Sequence, residues 1–353
     1  SAPVRPEVRD VMLSSMEGVG NPSSVHGAGR SAYNALSQAR RQIASLVSGL
    51  PEQVVFTSGG TEANFLAILG AASKMNASGT NISHILVGAT EHPSVLASVE
   101  ETGLPFDLIP VDDQGVVKLD MLADMLKNQA GHCLICVMMA NNETGAVQPL
   151  GDIASLAEKH GSLVHVDAVQ GMGKLDFSDL GLGACSTGAT PSGIVSLSLS
   201  AHKIGGPQGV GALILRDGYS IKPLFTGGGQ EQGRRSGTEN MPGIVGFGVA
   251  AHLAEGDREE YLSKITRLRD RLEEGVLNAC PEAVVFSKGT ERLVNTSCFA
   301  IPGLLAEKAL ISFDLEKVCI YDQDVEKFIA AFTKVLSHVQ NSERKNEVAE
   351  EVT

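Results

Sequence analysis

Short apolar runs recur along the chain and alternate with stretches of helical spacing. Val54-Val55-Phe56, His84-Ile85-Leu86-Val87, Leu134-Ile135-Cys136-Val137-Met138 and Leu163-Val164-His165-Val166 read as strands. Strands that alternate with helices predict an α/β fold with a mostly parallel sheet. Each run ends in a polar or glycine-containing turn: Thr57-Ser58-Gly59-Gly60, Ala89-Thr90-Glu91-His92, Asn141-Asn142-Glu143 and Asp167-Ala168. Ligands of open α/β sheets bind beyond the carboxyl ends of the strands, so these turns are where chemistry is expected.

From Gly256 to Leu277 apolar residues recur at helical spacing (Tyr261, Ile265, Leu268, Leu272), and the pattern after it is shorter in range. The organisation expected is a large domain over residues 10–255 and a smaller C-terminal α+β domain over 256–339, with residues 1–9 packing near the smaller one. Residues 340–353 are polar, with Val348 and Val352 as their large apolar groups, and are expected to form a disordered tail.

Composition narrows the function. The 353 residues are 43% hydrophobic, enough for a large core, and the net charge of −13 disfavours a nucleic-acid partner, which needs clustered Lys and Arg. No apolar run approaches the ~18 residues of a spanning helix, and Ser1 to Asp10 has no signal-peptide pattern, so no membrane partner and a cytoplasmic location are expected. Six cysteines over so long a chain read as thiols rather than a disulfide framework.

Three strand-end groups carry the candidate chemistry. Phe56-Thr57-Ser58-Gly59-Gly60-Thr61-Glu62-Ala63-Asn64 leads from a strand through small residues into a helix expected over Glu62 to Ala72; this is either an anion seat or a plain helix start capped by Thr61. Asp167 ends an apolar strand, where a buried carboxylate needs a cation such as a protonated pyridine nitrogen, unless it only caps the next turn. Lys203 ends the run Ser198-Leu199-Ser200-Ala201-His202 before the glycine-rich turn Ile204-Gly205-Gly206-Pro207; it is a Schiff-base lysine or a solvated one. Together, an anion seat, an aspartate and a lysine on one sheet edge are what pyridoxal phosphate requires.

These residues carry a resemblance. Asn21-Pro22-Ser23-Ser24-Val25-His26-Gly27, Thr57 to Glu62, Asn141-Asn142-Glu143-Thr144-Gly145, Val166-Asp167-Ala168-Val169-Gln170, Ser200-Ala201-His202-Lys203 and Gly227-Gly228-Gly229-Gln230-Glu231 through Arg235-Ser236-Gly237-Thr238 resemble the cysteine desulfurase family. The resemblance runs from Val4 to Glu316. It implies an aminotransferase-like pyridoxal-phosphate fold and a homodimer. It also implies removal of sulfur from L-cysteine to give alanine and an enzyme persulfide, for an iron–sulfur scaffold or other sulfur-acceptor protein. Carried over, Lys203 would hold the cofactor, Asp167 the pyridinium nitrogen, His92 would stack on the ring and Gln170 would contact its hydroxyl. Gly60, Thr61, Ser200 and His202 would seat the phosphate, Asn142 would lie near ring and substrate, and Thr238 would reach the phosphate of the partner subunit's cofactor. Lys203, with His92, would shuttle the proton at the substrate α-carbon.

The chain departs from the family pattern in two places. After Phe313 to Ile320 it passes through Tyr321-Asp322-Gln323 directly to Asp324-Val325-Glu326-Lys327-Phe328, so the family's stretch with a carboxylate-binding Arg is missing. The segment that resembles the mobile cysteine loop, Gly183-Ala184-Cys185-Ser186-Thr187-Gly188, instead precedes the strand leading to Lys203. That strand spans ~20 Å at about 3.3 Å per residue, so Cys185 starts at the end away from Lys203. Cys185 is either the sulfur-accepting nucleophile or a small residue of a flexible loop; its rival Cys319 reads as a buried strand thiol. Cys133 and Cys136 point to opposite faces of one strand and read as core, and no metal site is expected. The alternatives to desulfurase activity are another pyridoxal-phosphate reaction, a lyase or aminotransferase, and a cofactor-binding scaffold that has lost turnover with the missing Arg.

Overall fold

The computed structural model describes residues 1–18, 20–73, 81–182, 193–315 and 324–336. Cys185, Cys319 and residues 340–353 lie outside them. Within the larger unit, residues 1–142 and 146–258, seven strands form one sheet: β1 (Val54–Thr57), β2 (Ile82–Gly88), β3 (Phe106–Ile109), β4 (His132–Met138), β5 (Leu163–Asp167), β6 (Ile194–Ser200) and β7 (Gly211–Leu215). Their order is β1-β7-β6-β5-β4-β2-β3. β7 is antiparallel to both neighbours and every other pairing is parallel, so six strands run in one direction. The carboxyl ends of β1, β2, β4, β5 and β6 therefore share one edge.

Both faces of the sheet are covered. Cys133, Ile135 and Val137 of β4 and Val164 and Val166 of β5 join the core packed under α2 (Gly27–Leu46), α6 (Leu150–Lys159) and α7 (Met241–Gly256). Leu134 and Cys136 turn to the other face, toward α3 (Gly60–Ala72) and α4 (Pro93–Glu101). Cys133 and Cys136 thus sit in separate cores on opposite sides of the sheet, because strand side chains alternate with a period of two.

Residues 1–9 belong to this larger unit. Ala2 N–H donates to His202 O at 2.7 Å and Arg5 N–H to Gly205 O at 3.0 Å. The close fit depends on Gly205: a Cβ there would lie 2.8 Å from Arg5 Cγ.

The smaller unit comprises residues 143–145 and the chain from Glu259. The division falls within α8 (Arg258–Ala279), and the unit also holds a hairpin of β8 (Val284–Val285) and β9 (Phe299–Ala300), α9 (Ala306–Leu315) and a helix over 324–336. Val276, Cys280, Phe332 and Leu336 form its core, with Phe328 and Phe332 stacked at 6.0 Å between centroids. Arg292 forks onto the buried Glu273 at 2.9 and 3.1 Å. Leu293 N–H donates to Gly145 O at 2.9 Å, which joins the short segment 143–145 to this unit.

In the larger unit the glycine-rich loop Gly227–Thr238 is anchored at two points. Arg40 of α2 forks onto Glu231 at 2.7 and 2.9 Å, and Phe56 N–H of β1 donates to the same carboxylate at 3.0 Å. Arg235 pairs with Glu62 in the first turn of α3 at 2.8 Å. Glu231 and Gln232 have φ of 49° and 58°, a left-handed conformation that costs non-glycine residues roughly 1 kcal/mol or more each, so the anchor must hold a strained turn. Glu231→Ala, which leaves Arg40 without its carboxylate partner, is expected to cost about 3 kcal/mol, read as a lower urea midpoint at unchanged slope.

Candidate active site

The sheet edge gathers the strand-end groups into one cleft of about 620 Å³. Gly60, Thr61, His92, Asn142, Asp167, Gln170, Ser200, His202 and Lys203 all line it. Of the residues singled out from the sequence, Thr238 does not line this cleft and is exposed, and Cys185 is not among the described residues.

The anion seat is built by α3. The helix starts at Gly60 rather than Glu62, with Gly59 as N-cap and no side-chain hydrogen bond at the cap; Thr61 lies inside the first turn instead of capping it. The amides of that first turn have no intrahelical acceptors, and the helix dipole adds positive potential there. Two glycines allow the approach: a Cβ on Gly60 would lie 2.8 Å from Val169 Cγ2, and one on Gly211 would lie 2.6 Å from the Gly59 carbonyl carbon. Thr57 and Ser200 both pair with Gly211 across β7, so the helix start and the end of β6 are held side by side.

Asp167 is buried at the end of β5. Asn64 Nδ2 donates to its Oδ2 at 2.8 Å and Val169 N–H to its Oδ1 at 3.1 Å. Burial pushes its pKa up, against the pull of these donors and of the nearby His92 and Lys203. Behind it lies Glu91, whose Oε1 accepts Met138 N–H at 2.6 Å and whose Oε2 is buried without a hydrogen-bond partner among the described residues. Burial, then the charge of Asp167, holds Glu91 well above the usual carboxylate range. With one donor against two, Glu91 is the less favoured of the two to carry the charge.

Lys203 closes the 3₁₀ turn after β6. His92 caps α4, its Nδ1 accepting Ser94 N–H at 3.1 Å. A second lysine, Lys174, is 5% exposed, and its Nζ donates to Gln170 O at 2.9 Å. Burial, then the charge of Lys203, lowers its pKa to about 8. Lys174, Glu91 and Asn64 were not singled out from the sequence. The signal for two of them was adjacency: Glu91 precedes His92, and Asn64 closes the α3 motif.

Pyridoxal phosphate fits this donor set. Asp167 is a buried carboxylate that makes no ion pair among the described residues, and α3 presents an uncapped N-terminus. A protonated ring nitrogen answers the first and a phosphate the second.

The aminotransferase class-V family model matches residues 1–322, and the chain belongs to that pyridoxal-phosphate-dependent family. It is 41% identical to a cysteine desulfurase of Cereibacter sphaeroides over 321 residues, 89% of this chain and 78% of the relative. It is 35% identical to cysteine desulfurase IscS of Dictyoglomus turgidum, covering 90% and 78%. A NifS-like protein from Rickettsia africae superposes with a TM-score of 0.85 at 30% identity, over 96% of this chain and 97% of that one. Within the class-V family, the chain is a member of the cysteine desulfurases. Its aminotransferase-like fold accords with these neighbours.

Lys174 makes one property measurable. Its pKa falls from 10.5 to about 8 on folding, so between those limits the unfolded chain binds more protons. Stability of the cofactor-free protein is therefore expected to rise as pH increases from 8 to 10.5. Lys174→Met, which removes the titrating group, is expected to flatten that rise in melting temperature against pH.

Proposed function

We propose that the chain removes sulfur from L-cysteine, giving L-alanine and an enzyme-bound persulfide that is handed to a sulfur-acceptor protein of iron–sulfur cluster assembly. The observation that carries this reading is the meeting of Lys203, Asp167, His92 and the uncapped start of α3 in one cleft. Its kinship with the cysteine desulfurases supports the substrate.

When bound, pyridoxal phosphate supplies the electron sink that lets the substrate α-carbon release a proton. Lys203 would hold the cofactor through Nζ and would move that proton. The carboxylate of Asp167 would pair with the ring nitrogen and favour its protonated form. His92 would stack on the ring, Gln170 would contact its hydroxyl and Asn142 would lie near ring and substrate. Gly60, Thr61, Ser200, His202 and the amides of α3 would hold the phosphate. Thr238, away from its own cleft, would serve the partner subunit's cofactor in a homodimer.

A thiolate takes the sulfur: its bond to the substrate sulfur forms as the carbon–sulfur bond breaks, and a proton delivered to the carbon completes alanine. Burial pushes the thiol pKa up at all four described cysteines, Cys133, Cys136, Cys280 and Cys298. None of these is a ready thiolate; Cys185, whose segment resembles the family's mobile cysteine loop, is assigned as the acceptor. No described helix is long and apolar enough to cross a membrane, in keeping with action in the cytoplasm.

Absorbance spectra of the native protein and of Lys203→Ala, followed by L-cysteine and assay of alanine and sulfide, test the reading. The native protein is expected to show a visible cofactor band and release alanine; Lys203→Ala is expected to lose the band and to slow alanine formation by roughly 10³-fold. Cys185→Ser is expected to keep the band and stop sulfur release. A band without alanine from the native protein would mark a cofactor-binding scaffold instead.

A further inference from the structure

Asn64, in α3, is 1% exposed, and every polar atom of its side chain is engaged. Its Nδ2 donates to Asp167 Oδ2 at 2.8 Å and to Ser94 Oγ at 3.0 Å, and its Oδ1 lies 3.0 Å from His165 Nε2. His165 Nδ1 in turn lies 2.8 Å from Ser196 Oγ. The polarity of this chain follows from its carboxylate end. A carboxylate only accepts, so the Asn64 atom facing Asp167 is the nitrogen and the other is an oxygen. His165 Nε2 must then carry a hydrogen. Burial pushes the pKa of His165 down to about 3, so the ring is neutral and its Nδ1 accepts from the Ser196 hydroxyl.

The second hydrogen of Asn64 reaches the other side of the cleft. Ser94 Oγ, which accepts it, is 2.8 Å from His92 Nδ1, and the same ring nitrogen accepts Ser94 N–H. In this pattern Nδ1 is an acceptor, and the hydrogen of a neutral His92 sits on Nε2. One side-chain amide thus bridges the strand-end carboxylate of β5 and the histidine that opens α4.

The geometry points to Asn64 as a positioning residue of the site, keyed by His165, that orients Asp167 and keeps it ionised while setting Ser94 against His92. The inference rests on the assignment of Asp167 as the partner of the cofactor ring nitrogen. The period of the strands explains the construction: His165 and Asp167 on β5, and Ser196 and Ser198 on β6, recur every second residue and so share faces, and Asn64 of α3 meets both His165 and Asp167. Among the described residues, the charged and titratable groups facing Asp167 are His92 and Lys203, which favour its anion, and Glu91, whose pKa the charge of Asp167 raises. Among the described residues, Asn64 is its sole side-chain hydrogen-bond donor.

The test measures cofactor dissociation from the holoprotein at pH 8 and pH 6 for the native chain, Asn64→Ala, His165→Leu, His165→Gln and Asp167→Asn. Loss of a charge-assisted donor is expected to weaken retention by about tenfold or more in Asn64→Ala. The deficit should widen at pH 6, because an unsupported Asp167 takes up a proton sooner. His165→Leu, which cannot donate to Asn64, is expected to follow Asn64→Ala, and His165→Gln, which can, to stay near the native value. A residue serving only the packing of α3 would lower the melting temperature without making retention depend on pH. Native-like retention in Asn64→Ala, together with loss in Asp167→Asn, would overturn the proposal and leave the site assignment standing. Native-like retention in Asp167→Asn would overturn the assignment itself. Should Asn64→Ala not fold, equal retention by His165→Leu and His165→Gln would be the overturning result.

Discussion

Asp167 is the constraint around which the larger unit is arranged. A carboxylate 7% exposed at the end of an apolar strand is costly unless donors and a cation meet it. The fold supplies the donors from two elements, Asn64 on α3 and Val169 in the turn that follows β5. It also favours the negative charge on Asp167 over neighbouring Glu91, which has a single donor and one oxygen without a partner among the described residues. Two buried carboxyls at one strand edge would otherwise compete for one proton. Among the described residues Asp167 makes no ion pair, and a protonated ring nitrogen would supply one.

The same edge gathers the remaining groups because six of seven strands share a direction. The single reversed strand, β7, serves the site in its own way: it begins at the edge where its neighbours end, and Gly211 there admits the Gly59 backbone between β1 and β6. A side chain at Gly211 would push the start of α3 away from Ser200 and open the anion seat. The loop Gly227–Thr238 depends on the same strands and helix, since Glu231 accepts Phe56 N–H of β1 and Arg235 pairs with Glu62 of α3. Site and scaffold are therefore hard to perturb separately on this side of the sheet.

Much of this was legible in the sequence, and the limits have physical causes. The apolar runs marked β1, β2, β4 and β5, and their terminal turns marked the cleft, because strand ends in an α/β sheet converge whatever their order. The reversed β7 could not be read, since direction is set by pairing and not by composition. The docking of Arg5 could not be read either: it meets a turn made approachable by Gly205, a contact with no local signature. The helix start was misplaced because Thr61 is a good cap by type, whereas the chain uses Gly59 and leaves its amides open. His165, Ser196 and Ser198 did leave a trace, polar residues at every second position of otherwise apolar strands. Their meaning appears only when Asn64 is seen between His165 and Asp167.

The thiol chemistry follows different physics from the cofactor site. A sulfur acceptor must be ionised and must travel, whereas the groups around Asp167 are valuable because they are buried and fixed. Cys133 and Cys136 lie in the two cores flanking β4, and burial raises the pKa of each, as it does for Cys280 and Cys298. Cys185 and Cys319 lie outside the described residues. Cys185 precedes β6, whose length carries the chain from Gly193 at one edge to Ser200 at the other, ~20 Å at about 3.3 Å per residue. A thiol tethered there reaches a cleft by passing around the sheet edge or by entering the cleft of a second subunit. The strand-end groups of the cleft come together without it, so delivery of the thiol and activation of the substrate are separable demands on this chain.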